Sequence, residues 1–197
     1  MPELFLSLMT FAIIATISPG GATTLATASG VQFGLVRSIP LICGIAFGLA
    51  LLNGAVGGGL GGLINTFPQI QLALKVFGST YLLWLAWTIG KQGAPKSSGD
   101  ADTPIGFLKG LLLLWLNPKG WTMAVSAAAA FASLSDSPQR LAILLGTVFG
   151  TAALLSLSLW CIGGQWLSLF LKTEQQWRYV NIALGLLLAI SIIPMWR

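Results

Sequence analysis

The sequence contains no histidine and only five acidic residues, Glu3, Asp100, Asp102, Asp136 and Glu174, among 197 positions. Without histidine there is no haem ligand, no imidazole metal site and no Ser/His or Cys/His nucleophilic pair. The acidic residues lie in or beside the turns between apolar runs. No pair of carboxylates within a span is left for acid and base chemistry, so an aspartyl intramembrane protease is excluded. Cysteine is nearly absent too. Cys43 and Cys161 sit inside apolar runs without CxxC spacing, and read as small buried hydrophobes rather than as a disulfide or redox pair. No catalytic residue, metal site or cofactor is expected. Charge as a whole is scarce, at 8% of residues against roughly 25% in a soluble domain, which rules out a water-soluble fold. The basic residues give a net charge of +5 and a pI near 9.6. They stand singly between apolar runs and form no patch for nucleic acid.

What fills the sequence is hydrocarbon, with 55% hydrophobic residues and a mean hydropathy of +0.85. Charge-free runs extend from Leu4 to Val36, Ser38 to Leu74, Leu141 to Leu171 and Tyr179 to Trp196, each able to cross a hydrocarbon core that takes about 20 apolar residues. The runs are apolar on every face, whereas the strands of an outer-membrane barrel alternate. Met1-Pro2-Glu3 lacks the basic n-region of a cleaved signal peptide, so the first span is expected to remain in the protein. Turn residues divide the runs into six expected helices, at 4–28, 38–63, 68–90, 105–132, 140–166 and 177–196. One segment, Lys91 to Asp102, has the composition of a flexible linker. The expected units are therefore a three-helix repeat over 1–90, a linker over 91–104 and a second three-helix repeat over 105–197.

The two halves can be laid over one another. Ser18-Pro19-Gly20 meets Asn117-Pro118-Lys119 at an offset of 99, and Gly44, Gly48, Gly61 and Gly62 meet Gly146, Gly150, Gly163 and Gly164 at an offset of 102. Three spans per half reverse the second half in the membrane, which predicts the 3+3 inverted repeat of many secondary transporters. Glycines at this spacing also serve helix packing, and the two uses are compatible. Orientation follows from basic residues. Arg37, Lys91, Lys96, Lys109, Lys172 and Arg178 fall on one side, and Lys75, Arg140 and Arg197 on the other. The richer side belongs in the cytoplasm, so both termini are expected in the periplasm. Trp87, Trp166, Trp177 and Trp196 fall near span ends, where amphipathic rings prefer the interface.

Two positions carry the chemistry. Pro19 lies about 15 residues into the first span, close to the bilayer midplane at 1.5 Å per residue. A proline there frees a carbonyl near Ala15, and Gly20 and Gly21 remove side-chain bulk. The amides of Gly20, Gly21 and Ala22 and the hydroxyls of Thr23 and Thr24 are expected to form a half-helix N-terminus suited to a carboxylate. The fourth span repeats the break as Asn117-Pro118-Lys119-Gly120. Lys119 is roughly 13 residues from either end, too deep to snorkel, where a charge costs about 2.5–3.5 kcal/mol. It is expected to face a cavity, against freed carbonyls, water or a substrate carboxylate. Lys75, about eight residues into the third span, can snorkel and reads as an interfacial anchor.

These residues resemble a known family. Ser18-Pro19-Gly20, Lys75-x-x-Gly78-x-x-Tyr81-Leu82-x-Trp84-Leu85, Gly106-Phe107 and Asn117-Pro118-Lys119 are similar to the motifs of the lysine exporter (LysE/RhtB) family of bacterial amino-acid efflux proteins. The resemblance covers essentially the whole chain. It implies multi-pass residence in the bacterial inner membrane and export of small amino acids or derivatives, with protons as the coupling ion. Tyr81-Leu82-Leu83-Trp84-Leu85-Ala86-Trp87 and Arg178-x-x-Asn181 are similar to the branch that exports cysteine and O-acetylserine. The family usually reads Pro-Gly-Pro, often followed by Asn, where this chain has Gly21 and Ala22, and often carries an Asp in the fifth span, where this chain has Thr151.

The expected protein is thus an all-α secondary exporter of zwitterionic amino acids, broken in helices 1 and 4. Its substrate site is expected at Pro19, Gly20, Gly21, Thr23, Thr24, Asn117, Pro118 and Lys119, with access alternating as one repeat rocks against the other. A non-transporting membrane interaction module and a metal-ion exporter of related architecture remain as alternatives, the second short of ligands. A second copy of the chain is left open as a partner.

Overall fold

The computed structural model describes residues 2–60, 68–91, 93–94 and 103–196, and the regular structure among them is helical. In chain order the helices are α1 (Pro2–Ile17), α2 (Gly21–Ala55), α3 (Pro68–Gly90), α4 (Phe107–Trp115), α5 (Pro118–Ala130), α6 (Pro138–Phe170) and α7 (Glu174–Ile190). A π turn (Val56–Leu60) continues α2, and short 3-10 turns follow at Ala132–Leu134 and Ile193–Trp196. Most of the expected linker, Gly61 and Gly62, and the side chain of Lys75 lie outside the described residues.

Two helices end where proline dictates. Pro19 has no amide to donate and its ring opposes the Ala15 carbonyl. Accordingly α1 stops at Ile17 and α2 starts at Gly21. Pro118 occupies the first position of α5, where a missing amide costs nothing, and Asn117 caps that helix by accepting a 3.1 Å bond from the Lys119 amide. Each expected span at 4–28 and 105–132 is therefore two helices in the structure.

The turn between the first two expected spans is tighter than a loop. α2 is two arms, 21–33 and 35–55, that meet at Gly34, with φ at 73°, a conformation that glycine adopts without strain. The hydroxyls of Ser29 and Ser38 lie 2.7 Å apart, whereas nine residues of straight helix would hold them about 13.5 Å apart. The chain has folded back on itself. Ser38 also donates 2.7 Å to the Gly34 carbonyl, and Gln165 on α6 accepts the Leu35 amide at 2.8 Å, so the bend uses its own polar groups.

The core is the contact of α2 with α6, onto which α1 and α4 are laid. These helices meet backbone to backbone. A Cβ on Gly30 would run into the Cys161 carbonyl, one on Gly164 into that of Thr27, and one on Gly44 into that of Phe107. α3 pairs mainly with α7, where a Cβ on Gly185 would come 2.6 Å from the Ala86 carbonyl. Gly21–Leu60 and Pro138–Phe170 are long and apolar enough to cross a membrane. Ile143, Leu155, Leu159 and Trp166 on α6 face outward and exposed, as a surface meeting lipid requires. Trp87 and Trp166 are exposed, but Trp177 is buried. Its indole donates 3.2 Å to the Leu171 carbonyl at the end of α6, so it closes a helix terminus instead of anchoring at an interface.

Candidate functional site

The two helix interruptions face each other, joined by one side chain. Lys119, half-buried in the first turn of α5, sends its Nζ 2.8 Å from Ser18 Oγ, 3.0 Å from the Ser18 carbonyl oxygen and 3.5 Å from that of Pro19. Its acceptors, the Ser18 hydroxyl and the Ser18 and Pro19 carbonyls, follow directly on the C-terminal, negative end of α1, and none is a carboxylate. Two such charge-assisted bonds, each worth about 1.5–3 kcal/mol, offset a burial cost of about 2.5–3.5 kcal/mol. Gly20 leaves room for this approach, since a Cβ there would sit 3.1 Å from Lys119 Nζ and push the ammonium aside.

Every carbonyl freed at the end of α1 finds a donor, as buried backbone must. Ser18 Oγ donates 3.0 Å to Ala15, Ser156 Oγ 2.8 Å to Thr16, Trp160 Nε1 3.0 Å to Ile17, and Lys119 takes Ser18. Three of the four donors come from the other half of the chain. At the second interruption, Trp121 Nε1 donates 2.7 Å to the Trp115 carbonyl and the Asn117 amide 2.9 Å to that of Leu114. The Leu116 carbonyl lies against Gly78 of α3, where any Cβ would collide with it.

Between the interruptions lies a cavity of about 40 Å³, lined by Gly20, Gly21, Thr23, Asn117 and Lys119 together with apolar side chains of α2 and α6. It has room for a few waters and not for an amino acid. Five of the eight residues expected at the site thus share one space. Pro19 and Pro118 shape it through the backbone, and Thr24 is buried but is not among the described residues lining it. Thr23 Oγ1 accepts the Gly20 amide at 2.8 Å and donates 3.0 Å to the Gly20 carbonyl, so that amide is already committed. The amides of Gly21 and Ala22 begin α2, where a helix has no acceptors of its own. Ser156 and Trp160 were not expected from the sequence. Their only signal is two polar donors four residues apart, on one face of a charge-free run.

A cavity between opposed helix ends, bridged by a half-buried cation among apolar helices, is the architecture of a membrane translocator. The LysE type translocator family matches residues 13–191, which takes in both interruptions, and the chain belongs to that family. It is a transporter and not an enzyme. Similar proteins include the cysteine/O-acetylserine efflux protein of Klebsiella pneumoniae, 25% identical over 98% of each chain. Those of Salmonella choleraesuis and Escherichia coli O1:K1 are each 28% identical over 98% of this chain and 97% of theirs. No solved structure matches the chain.

Proposed function

We propose that this protein exports small zwitterionic amino acids of the cysteine or O-acetylserine kind across the bacterial inner membrane. The export is driven by the proton motive force and proceeds by alternating access to the space between the interruptions. The observation that carries this reading is the Lys119 ammonium held 2.8–3.0 Å from Ser18. The ammonium is held by Ser18, just beyond the C-terminal end of α1. A substrate carboxylate would draw it away and take up the Gly21 and Ala22 amides, leaving the Ser18 carbonyl that Lys119 gives up, together with Asn117, for the substrate ammonium. The relatives' names, the deep cation and the apolar exterior all agree with it.

The helices are best read as six spans, the first made of α1 with the 21–33 arm and the fourth of α4 with α5. An inverted 3+3 repeat is supported by reciprocal packing: α1 lies on α6 as α4 lies on the 35–55 arm of α2. Both termini would then be periplasmic. Because helices of one repeat are laid on those of the other, the bodies that move are not the two halves of the sequence. The α3–α7 pair, more loosely attached to the α2–α6 core, is the better moving part, with Gly78 against Leu116 as its pivot. Efflux of labelled O-acetylserine from loaded vesicles tests the reading. Wild type should export, a protonophore should stop it and Lys119→Gln should abolish it. A wild-type protein that moves neither O-acetylserine nor cysteine would overturn the substrate reading and leave a translocator of some other solute.

A further inference from the structure

A second and much larger cavity, about 420 Å³, lies between the 21–33 arm of α2, α3 and the beginning of α4. That volume is within the range of small-molecule sites. Its wall includes Tyr81 and Trp84, stacked with ring centroids 5.7 Å apart and planes at 26°, and Ser29 and Thr88, whose hydroxyls are bonded to Ser38 and to the Trp84 carbonyl. Lys109, exposed in the first turn of α4, is the one charged residue among the described residues that line it. The cavity sits beside the turn at Gly34 and the chain leading into α4, on the side richer in basic residues. Between it and the central cavity is a gap of about 10 Å³ that shares Leu25 with the large cavity and Gly21 and Asn117 with the central one. Leu25, Leu82 and Leu113, all buried, close this gap. It admits no solute larger than a water molecule.

We propose that the large cavity is the cytoplasmic loading site for the substrate, and that Leu25, Leu82 and Leu113 form the barrier it crosses to reach Lys119. The inference rests on the export reading. Its chemistry selects a zwitterion of amino-acid size: Lys109 takes the carboxylate, and the faces of the Tyr81–Trp84 pair take the ammonium. The carboxylate then passes from one lysine to a second, deeper one, along a path whose described lining contains no acidic side chain to hold the ammonium back. The barrier lies where the α3–α7 pair meets the core, since Leu82 of α3 and Leu188 of α7 both approach Gly21, at 3.4 and 3.5 Å from the position of a Cβ.

Two measurements test this. In a Cys43→Ala, Cys161→Ala background, Thr88→Cys should react with a membrane-impermeant thiol reagent in inside-out vesicles and not in right-side-out ones, and O-acetylserine should slow the reaction severalfold. In transport, Lys109→Gln should raise KM for internal O-acetylserine about fivefold, the worth of one partly exposed ion pair. Its kcat should be kept, and Lys109→Arg should recover most of the affinity. Labelling from the periplasmic face, no protection, or an unchanged KM in Lys109→Gln would overturn the loading site. With wild type exporting and Lys119→Gln inactive, such a result would leave the export reading standing. If wild type exports no O-acetylserine, the export reading fails for that substrate and the loading site fails with it.

Discussion

At the scale of single residues, the site turns on cations and on donors to freed carbonyls. Replacing Lys119 by Gln or Ala should abolish efflux and leave folded protein in the membrane, because the lost bonds and the lost burial cost are of similar size. Arg should not restore full transport, since a planar fork does not fit the compact position between Ser18 and Gly20. Lys75→Gln should retain most transport, as expected of an interfacial anchor. Efflux assays at matched expression check all three. Trp160→Phe should leave the Ile17 carbonyl without its donor and cost about 1–3 kcal/mol of stability. A thermal melt in detergent checks this, with Trp166→Phe on the exposed face as the neutral comparison. Pro19, Pro118 and Lys119 were legible in the sequence because a proline or a lone cation inside a charge-free run is conspicuous where it stands. Ser156 and Trp160 were not, since a serine and a tryptophan on an apolar helix acquire their meaning only from the carbonyls that the fold places opposite them.

At the scale of helices, glycine sets how closely the elements approach. Gly30→Ala and Gly164→Ala should both prevent proper assembly, because the new methyl group meets the Cys161 or Thr27 carbonyl and neither backbone can yield. Gly163→Ala, with nothing within 4 Å of the new Cβ, should be tolerated and gain slightly in helix propensity. Size-exclusion profiles and melting temperatures of the three variants decide the matter, and loss of folded Gly163→Ala protein would contradict the packing described. The glycine pattern was visible as an offset between halves, but the pattern does not say which glycine meets a backbone and which meets nothing. A reversal was expected between residues 28 and 38, but its exact place was hidden, since one glycine among 24 does not announce that it takes a positive φ. The helix boundaries at Ile17 and Pro118 followed from proline stereochemistry, whereas the fold-back at Gly34 depends on the Ser29–Ser38 contact and on Gln165 from α6.

For the molecule as a whole, the basic residues lead to one orientation. A reporter fused after Arg197 should be active only when it is of the kind that works in the periplasm, and one placed in the segment after Lys91 only when it works in the cytoplasm. The opposite result would put the large cavity on the periplasmic face and overturn the loading site, without altering the geometry between the interruptions. The way the halves are interleaved also bears on how the protein is made. When the first 90 residues have left the ribosome, the Thr16 and Ile17 carbonyls still await donors from Ser156 and Trp160, and Gly30 still awaits the backbone around Cys161. The nascent first half is therefore an unfinished surface, to be shielded by the insertion machinery until α6 is synthesised. For the same reason two separately expressed chains, ending and beginning within the linker, should find each other in the membrane and copurify.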